Sequence, residues 1–210
     1  MHVSRIWSDL VKINTENPPG RTRECIEYIR SFLDGIGMPS MVSGTDDGQV
    51  NLVSRNGKSD LLLCGHVDVV PALDSSWTKP PFSGIVDDQY VYGRGTTDMK
   101  GGVAAILSAC ETLASNGREV PATLAFVCDE ETGGENGIRR LLSEKAISPS
   151  DCIIAEPAPA LHPSIGQKGL LRLELEFTGR PAHGSLYPAF GISAIMEAMQ
   201  FLDYVKSLHQ

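Results

Sequence analysis

The spacing of apolar residues changes several times along the 210-residue chain, and each change marks a boundary between elements. An amphipathic helix is predicted over residues 3–14. It should end before Pro18-Pro19-Gly20, because proline removes a backbone donor and glycine ends a helix at little cost. From Thr22 onward Ile26, Ile29, Phe32, Leu33 and Ile36 recur at helical intervals, and Gly35 and Gly37 mark the end of a second helix. Strand-like runs follow at 50–54, 61–70, 123–128 and 151–155, with helical patterns near 102–115 and 137–145 between them. Such alternation predicts an α/β domain with a mostly parallel sheet flanked by helices. Further on, Leu171, Leu173, Leu175 and Phe177 alternate with Arg172, Glu174 and Glu176, the pattern of a strand with one wet face. Ile192, Ile195, Met196, Met199, Leu202 and Val205 then predict an amphipathic helix running almost to the last residue. A half-solvated strand followed by a helix reads as the start of a smaller α+β domain, with a boundary near Gly166 to Gly169.

Composition narrows the function. A formal net charge of -8 and a pI near 5.1 argue against a phosphate-seeking basic surface, so nucleic acid is not expected as a partner. The five cysteines form no CxxC, and three lie in apolar strand-like runs where a reduced thiol behaves as a small hydrophobe. That usage points to a reducing compartment. The N-terminus has no long apolar core after a basic start, and no uncharged apolar run could span a bilayer. The expectation is a soluble, cytoplasmic protein without a membrane partner.

Acids and one histidine gather where the predicted strands end: His66 and Asp68 after "LLLCG", Asp129, Glu130 and Glu131 after "TLAFVC", and Glu156 after "CIIA". Asp98, in the glycine-rich "YGRGTTDMKGG" ahead of a helix, belongs on the same rim. In an open α/β sheet the carboxyl ends of the strands form the crevice where ligands bind. Any one of these acids serves equally well as a helix cap or a solvated loop charge. Together on one rim they repel one another unless a cation sits among them. One imidazole with several carboxylates and no thiolate pair suits zinc, cobalt or manganese at an open site better than a structural zinc cage.

The order "GHVDVVP", "WTKPPFSGIVDDQYVYGRGTTDMKGG", "CDEETGG" and "AEP" resembles the dinuclear zinc metallopeptidase family that includes succinyl-diaminopimelate desuccinylase, acetylornithine deacetylase, carboxypeptidase G and aminoacylase. The resemblance covers nearly the whole chain. It implies a zinc-exopeptidase-like, metal-binding catalytic domain over residues 1–168, lacking its C-terminal part, and the beginning of a dimerisation or lid domain over 169–210. It also implies that His66, Asp98 and Glu156 hold one metal, while Asp98 bridges to a second held with Glu131 and a histidine further along the family's chains. Asp68 would orient the His66 ring, and the peptide after Asp98 would be cis. Glu130 would act as general base in an amide hydrolysis without an acyl-enzyme, and no GxSxG or catalytic cysteine context competes. His183, in "GRPAHGSLYP", would reach the partner subunit's site and stabilise the oxyanion, so the protein is expected to be a homodimer through its second domain. His2, His162 and His209 have no comparable setting.

The resemblance further implies two zinc ions per subunit in a complete enzyme, with cobalt or manganese as alternatives, and a small N-acyl amino acid or peptide as substrate. Glu156, where aminoacylase-type members tend to have aspartate, leans towards the desuccinylase, deacetylase and carboxypeptidase G branch. Arg180 and Lys168 are candidates for the substrate carboxylate. The family's chains continue well beyond this point, so the 210-residue chain is expected to be an incomplete, poorly active form. Two readings stay open: a metallo-amidohydrolase, and a truncated, non-catalytic metal-binding or dimerising module of the same fold.

Overall fold

Helix α1 (Val3–Lys12) opens the first unit of the computed structural model, which describes residues 2–45, 47–55, 59–72, 77–159 and 162–208. His2 caps the helix by accepting from the Ser4 amide, and Ile6, Leu10 and Val11 form its buried stripe. Then follow α2 (Arg23–Gly35), β1 (Ser40–Gly44), β2 (Val50–Ser54), β3 (Leu61–His66), the short strands β4 (Ile85–Val86) and β5 (Val91–Tyr92), α3 (Gly101–Ser115), β6 (Thr123–Val127), α4 (Ile138–Ser143) and β7 (Asp151–Ile154). The chain divides into two units, Met1–Pro163 and Ser164–Gln210.

The five-stranded sheet has the order β1-β2-β6-β3-β7. β3 pairs in parallel with both β6 and β7, whereas β2 is antiparallel to β1 and to β6. Four strands therefore run one way and β2 opposes them, a mixed sheet that is mostly parallel in direction. The antiparallel pair has a local cause. The link between β1 and β2 is far too short for the helical crossover that a parallel pair requires. β1 escaped the sequence reading because its side chains are only half-buried and leave no continuous apolar run.

Both faces of the central strands are covered, which is why all of "TLAFV" in β6 is buried rather than alternating. On one face Phe126, Leu124 and Leu52 pack with Ile6 and Leu10 of α1, Ile26, Ile29 and Leu33 of α2, and Val103 and Leu107 of α3. On the other, Leu62, Cys64, Ala125 and Val127 pack with Leu141 of α4 and Ile147. The strand β7 forms at the expected place but is exposed, with Ile153 at 56% and Ile154 at 57%. It lies at the end of the sheet, with β3 as its one partner among the described residues.

Register brings the strand ends together. His66 stands opposite Val127, and Cys64 opposite Ile154, so the residues that follow β3, β6 and β7 leave the sheet on one rim. Ahead of α3, Thr96–Lys100 makes one wide helical turn whose Asp98 and Met99 depart from helical dihedrals, and the Asp98–Met99 peptide is cis, as the family resemblance implies. Gly102 lets α3 reach the rim, because a Cβ there would run into the Ala155 carbonyl directly before Glu156. Lys100, fully buried, donates from Nζ to the Ile13 carbonyl at 2.7 Å and fastens this turn to the end of α1.

In the second unit the expected strand over 171–177 is not formed. Leu171, Leu173 and Leu175 are exposed, and no described residue pairs with that segment. A strand exists only through a neighbouring ladder, so an alternating pattern without a partner remains irregular backbone. What does form is a two-residue bridge between Arg180 and Ile192, a short turn at Gly184–Leu186, and helix α5 (Ala194–Ser207), capped by Ser193 accepting from the Met196 amide. Ile195, Met199 and Leu202 of α5 are exposed. Among the described residues no helix is long and apolar enough to cross a membrane.

Packing of this kind makes a direct prediction about stability. Phe126→Ala removes a fully buried ring from the middle of the sheet and is expected to cost roughly 3 to 5 kcal/mol. Ile154→Thr, on the exposed strand β7, should change stability by less than about 0.5 kcal/mol. Equilibrium urea unfolding of both variants checks the contrast.

Candidate metal centre

His66 is the last residue of β3 and is buried at 2% exposure. Its Nδ1 lies 2.9 Å from the Asp68 carbonyl oxygen and 3.3 Å from the Asp68 carboxylate. A carbonyl can only accept, so Nδ1 carries a proton and the ring is held with Nε2 facing the rim. There Nε2 meets Asp98 Oδ1 at 2.9 Å and Glu156 Oε1 at 3.5 Å. Ligand-capable atoms of His66, Asp98 and Glu156 all lie within 4.8 Å of one another, the one such group among the described residues. One imidazole nitrogen and two carboxylate oxygens at this spacing are a donor set that fits a divalent cation.

Asp68, two residues beyond His66, is fully buried. Its Oδ1 accepts from the Glu130 amide and its Oδ2 from the Glu131 amide, each at 3.2 Å. The same carboxylate that aims His66 therefore also fixes the turn Glu130–Thr132 that leaves β6. Glu131 is half-buried and, with Asp98, Arg94 and Thr97, lines a cavity of about 160 Å³. Glu130, its neighbour in the turn, is exposed. A larger cavity of about 410 Å³ sits at the opposite ends of the parallel strands, among Arg55, Asp60 and Lys145. A cavity of about 550 Å³ beside Arg21, Glu24 and Asp47 is larger again, so volume does not pick the rim, whereas the donor chemistry does.

Electrostatics mark the same place. Burial by itself would push the His66 pKa down, but the Asp68, Glu156 and Asp98 acids outweigh it and carry it up to about 9. Burial, with Asp98 adding its charge, raises Glu156 to about 7. Glu131 is raised by burial and by Asp98, Asp68 and Glu130, against the lowering effect of His66. Carboxyls that hold protons this tightly, around an imidazole with both nitrogens on acceptors, are crowded in the way that a bound cation relieves.

Of the residues singled out in the sequence, His66, Asp68, Asp98, Glu130, Glu131 and Glu156 all gather on this rim. His183 lies in the second unit, where its Nδ1 is 2.8 Å from Ser185 Oγ and caps the Gly184–Leu186 turn. Arg180 spends its Nε on the Phe190 carbonyl at 3.0 Å. His2 caps α1, and His209 lies outside the described residues. Sequence reasoning missed Asn17, which is buried and reaches Asp68 from the loop after α1; its only trace is a polar residue inside the turn signal "TENPPG".

Residues 62–200 match the family described as Peptidase family M20/M25/M40, and the chain belongs to that family. It is 33% identical over 174 residues to an acetylornithine deacetylase from Aliivibrio fischeri, covering 82% of this chain and 45% of that protein. It is 31% identical over 207 residues to a probable succinyl-diaminopimelate desuccinylase from Staphylococcus epidermidis, covering 96% of this chain and 50% of that one. In structure it is similar to a tripeptidase from Staphylococcus aureus, with a TM-score of 0.63 at 22% identity, over 96% of this chain and 55% of the other. The chain spans about half the length of the curated relatives it matches.

The raised His66 pKa sets a pH dependence for cation uptake. In the metal-free protein the imidazole stays charged up to about 9, so a cation that takes Nε2 has to displace a proton. Calorimetry in buffers of different ionisation enthalpy should find proton release on zinc binding near neutral pH, with apparent affinity rising until the pH passes about 9. The sign for folding is the opposite. A histidine whose folded pKa lies above its unfolded value of about 6.5 stabilises the metal-free fold fully below that value and loses the contribution as pH rises through the folded one. Denaturation of the metal-free protein across that window should show the decline, and His66→Asn should abolish it.

Proposed function

We propose that this chain carries the metal site of a hydrolase that cleaves the amide bond of an N-acyl amino acid or short peptide. The observation that supports this most is the meeting of His66 Nε2, Asp98 and Glu156 above a buried Asp68 that also holds the Glu130–Glu131 turn. His66, Asp98 and Glu156 would hold one zinc ion, and Asp98 with Glu131 would contribute to a second; cobalt or manganese suits the same donors. A divalent cation held by these residues would supply Lewis acidity towards the scissile carbonyl and lower the pKa of water towards neutral pH. Glu130, exposed in the turn after β6, would take the proton from the attacking water and hand it to the leaving amine. Asp68 keeps Nδ1 of His66 engaged and its Nε2 directed at the rim.

The names of the deacetylase and desuccinylase relatives support a small acylated amino acid as substrate, and the tripeptidase neighbour supports the fold of the site. Exposed apolar residues on α5 support a homodimer formed through the second unit, from which His183 would serve a partner's site. Four of the five free cysteines are buried, in keeping with a reducing, cytoplasmic setting. A second reading is a non-catalytic metal-binding or dimerising module of the same fold. Hydrolysis of acetyl, succinyl and peptidyl substrates with and without added zinc or cobalt separates the two: metal-dependent turnover supports the enzyme, and metal binding without turnover supports the module.

Two substitutions test the assigned roles. Asp98→Ala should abolish nearly all zinc binding, while Asp68→Ala should weaken it by roughly ten- to a hundred-fold, as the loss of an orienting partner does; elemental analysis after dialysis reports both. Glu130→Gln should keep the metal and the fold yet lower kcat by several orders of magnitude, because the proton carrier is gone while the donor set stays. Single-substrate kinetics beside metal content would reveal it, and a kcat close to wild type would place the proton transfer elsewhere.

A further inference from the structure

Asn17 is a buried polar residue outside the metal donors and the strands that carry them, yet it bonds directly to Asp68. It is 4% exposed, in the loop between α1 and α2. Its side-chain Nδ2 donates to Asp68 Oδ2 at 2.9 Å and to Thr132 Oγ1 at 2.9 Å. One amide nitrogen has two hydrogens at a fixed angle, so both are spent, and the separation of the two acceptors is set by a rigid group. The acceptors lie at the two ends of the same device. Asp68 aims His66, and Thr132 closes the turn whose Glu130 and Glu131 amides point back at Asp68.

The loop that carries Asn17 is held independently of this amide. Thr15 Oγ1 donates to the Val67 carbonyl at 2.6 Å, the Asn17 amide to the Val69 carbonyl at 2.8 Å, and the Val69 amide to the Thr15 carbonyl at 3.1 Å. Glu16 accepts from the Ala72 amide at 2.6 Å, and Lys100 Nζ grips the Ile13 carbonyl. The loop thus lies along the exit of β3 as a short parallel strap, with its backbone already paired. Deleting the Asn17 amide leaves those bonds in place and removes the link between Asp68 and Thr132 alone.

We infer that Asn17 is a positioning residue of the metal centre, its side-chain amide locking the orienting carboxylate of Asp68 to the turn that presents Glu130 and Glu131. The inference rests on the reading of this rim as a metal site. The Asn17 side chain bonds Asp68 and Thr132 rather than the metal donors, and acts through Asp68. A carboxylate in its place would face Asp68 with like charge and could not donate.

The test uses the whole chain and zinc alone as the probe. Zinc affinity is measured by chelator competition, and Tm with and without zinc, for wild type, Asn17→Ala, Asn17→Asp, Thr132→Val and Asn17→Ala/Thr132→Val. Asn17→Ala should weaken zinc binding by roughly ten- to a hundred-fold and shrink the zinc-induced rise in Tm, with Asn17→Asp weaker still. The double variant should bind no worse than Asn17→Ala, because both changes break one link. Asn17→Ala with wild-type zinc affinity and a lowered metal-free Tm would overturn the inference, leaving the amide a packing bond. If Asn17→Ala does not fold, Thr132→Val decides: weakened zinc binding supports the lock, and wild-type affinity overturns it. No zinc binding by the wild type itself would overturn the metal-site reading and the inference with it, an outcome distinct from the others.

Discussion

A carboxylate taken fully out of water is costly unless hydrogen bonds replace the hydration it loses, and Asp68 is such a group. Its two oxygens are met by the amides of Glu130 and Glu131, by the side-chain amide of Asn17 and by Nδ1 of His66. These donors come from three separate stretches of chain, so satisfying one buried charge forces the exit of β3, the turn after β6 and the loop after α1 into register. The orientation of the His66 ring follows from that constraint. The rim is organised by protein hydrogen bonds before any cation arrives.

What the hydrogen bonds organise, charge leaves incomplete. Asp98 and Glu156 converge on an imidazole that burial alone would neutralise; the surrounding acids keep it charged, while burial, with neighbouring acids adding to it, lifts the carboxyls of Glu131 and Glu156 above their ordinary range. Protons thus serve as the counter-charge in the metal-free protein. A divalent cation replaces them with one compact charge at the centre of the same donors. The turn before α3 takes part through geometry. Its wide, irregular winding brings Asp98 to the histidine, and Gly102 lets the helix come up against Ala155 so that Glu156 reaches the same point.

The strands that carry the site were legible in the sequence because β3 and β6 are covered on both faces and read as unbroken apolar runs ending in acids. The acids were legible as a cluster because strand order and register put His66, Glu131 and Glu156 on one rim. β1 was not, since its half-buried residues carry no clear period. Neither was the strap, whose pairing with the exit of β3 depends on backbone atoms that composition does not encode. The segment around Leu173 shows the converse: its alternation is plain, and without a pairing neighbour among the described residues it makes no strand. Patterns report which faces can be buried, and partners decide whether they are.

The most direct measurement is X-ray absorption at the zinc edge on the zinc-loaded chain. The account predicts a first shell of nitrogen and oxygen at about 2.0 to 2.2 Å, with the outer-shell scattering of one imidazole and no sulfur. A sulfur shell near 2.3 Å would place the ion on cysteine, and a spectrum without imidazole scattering would take His66 out of the site; either result contradicts the assignment of the rim as the metal centre.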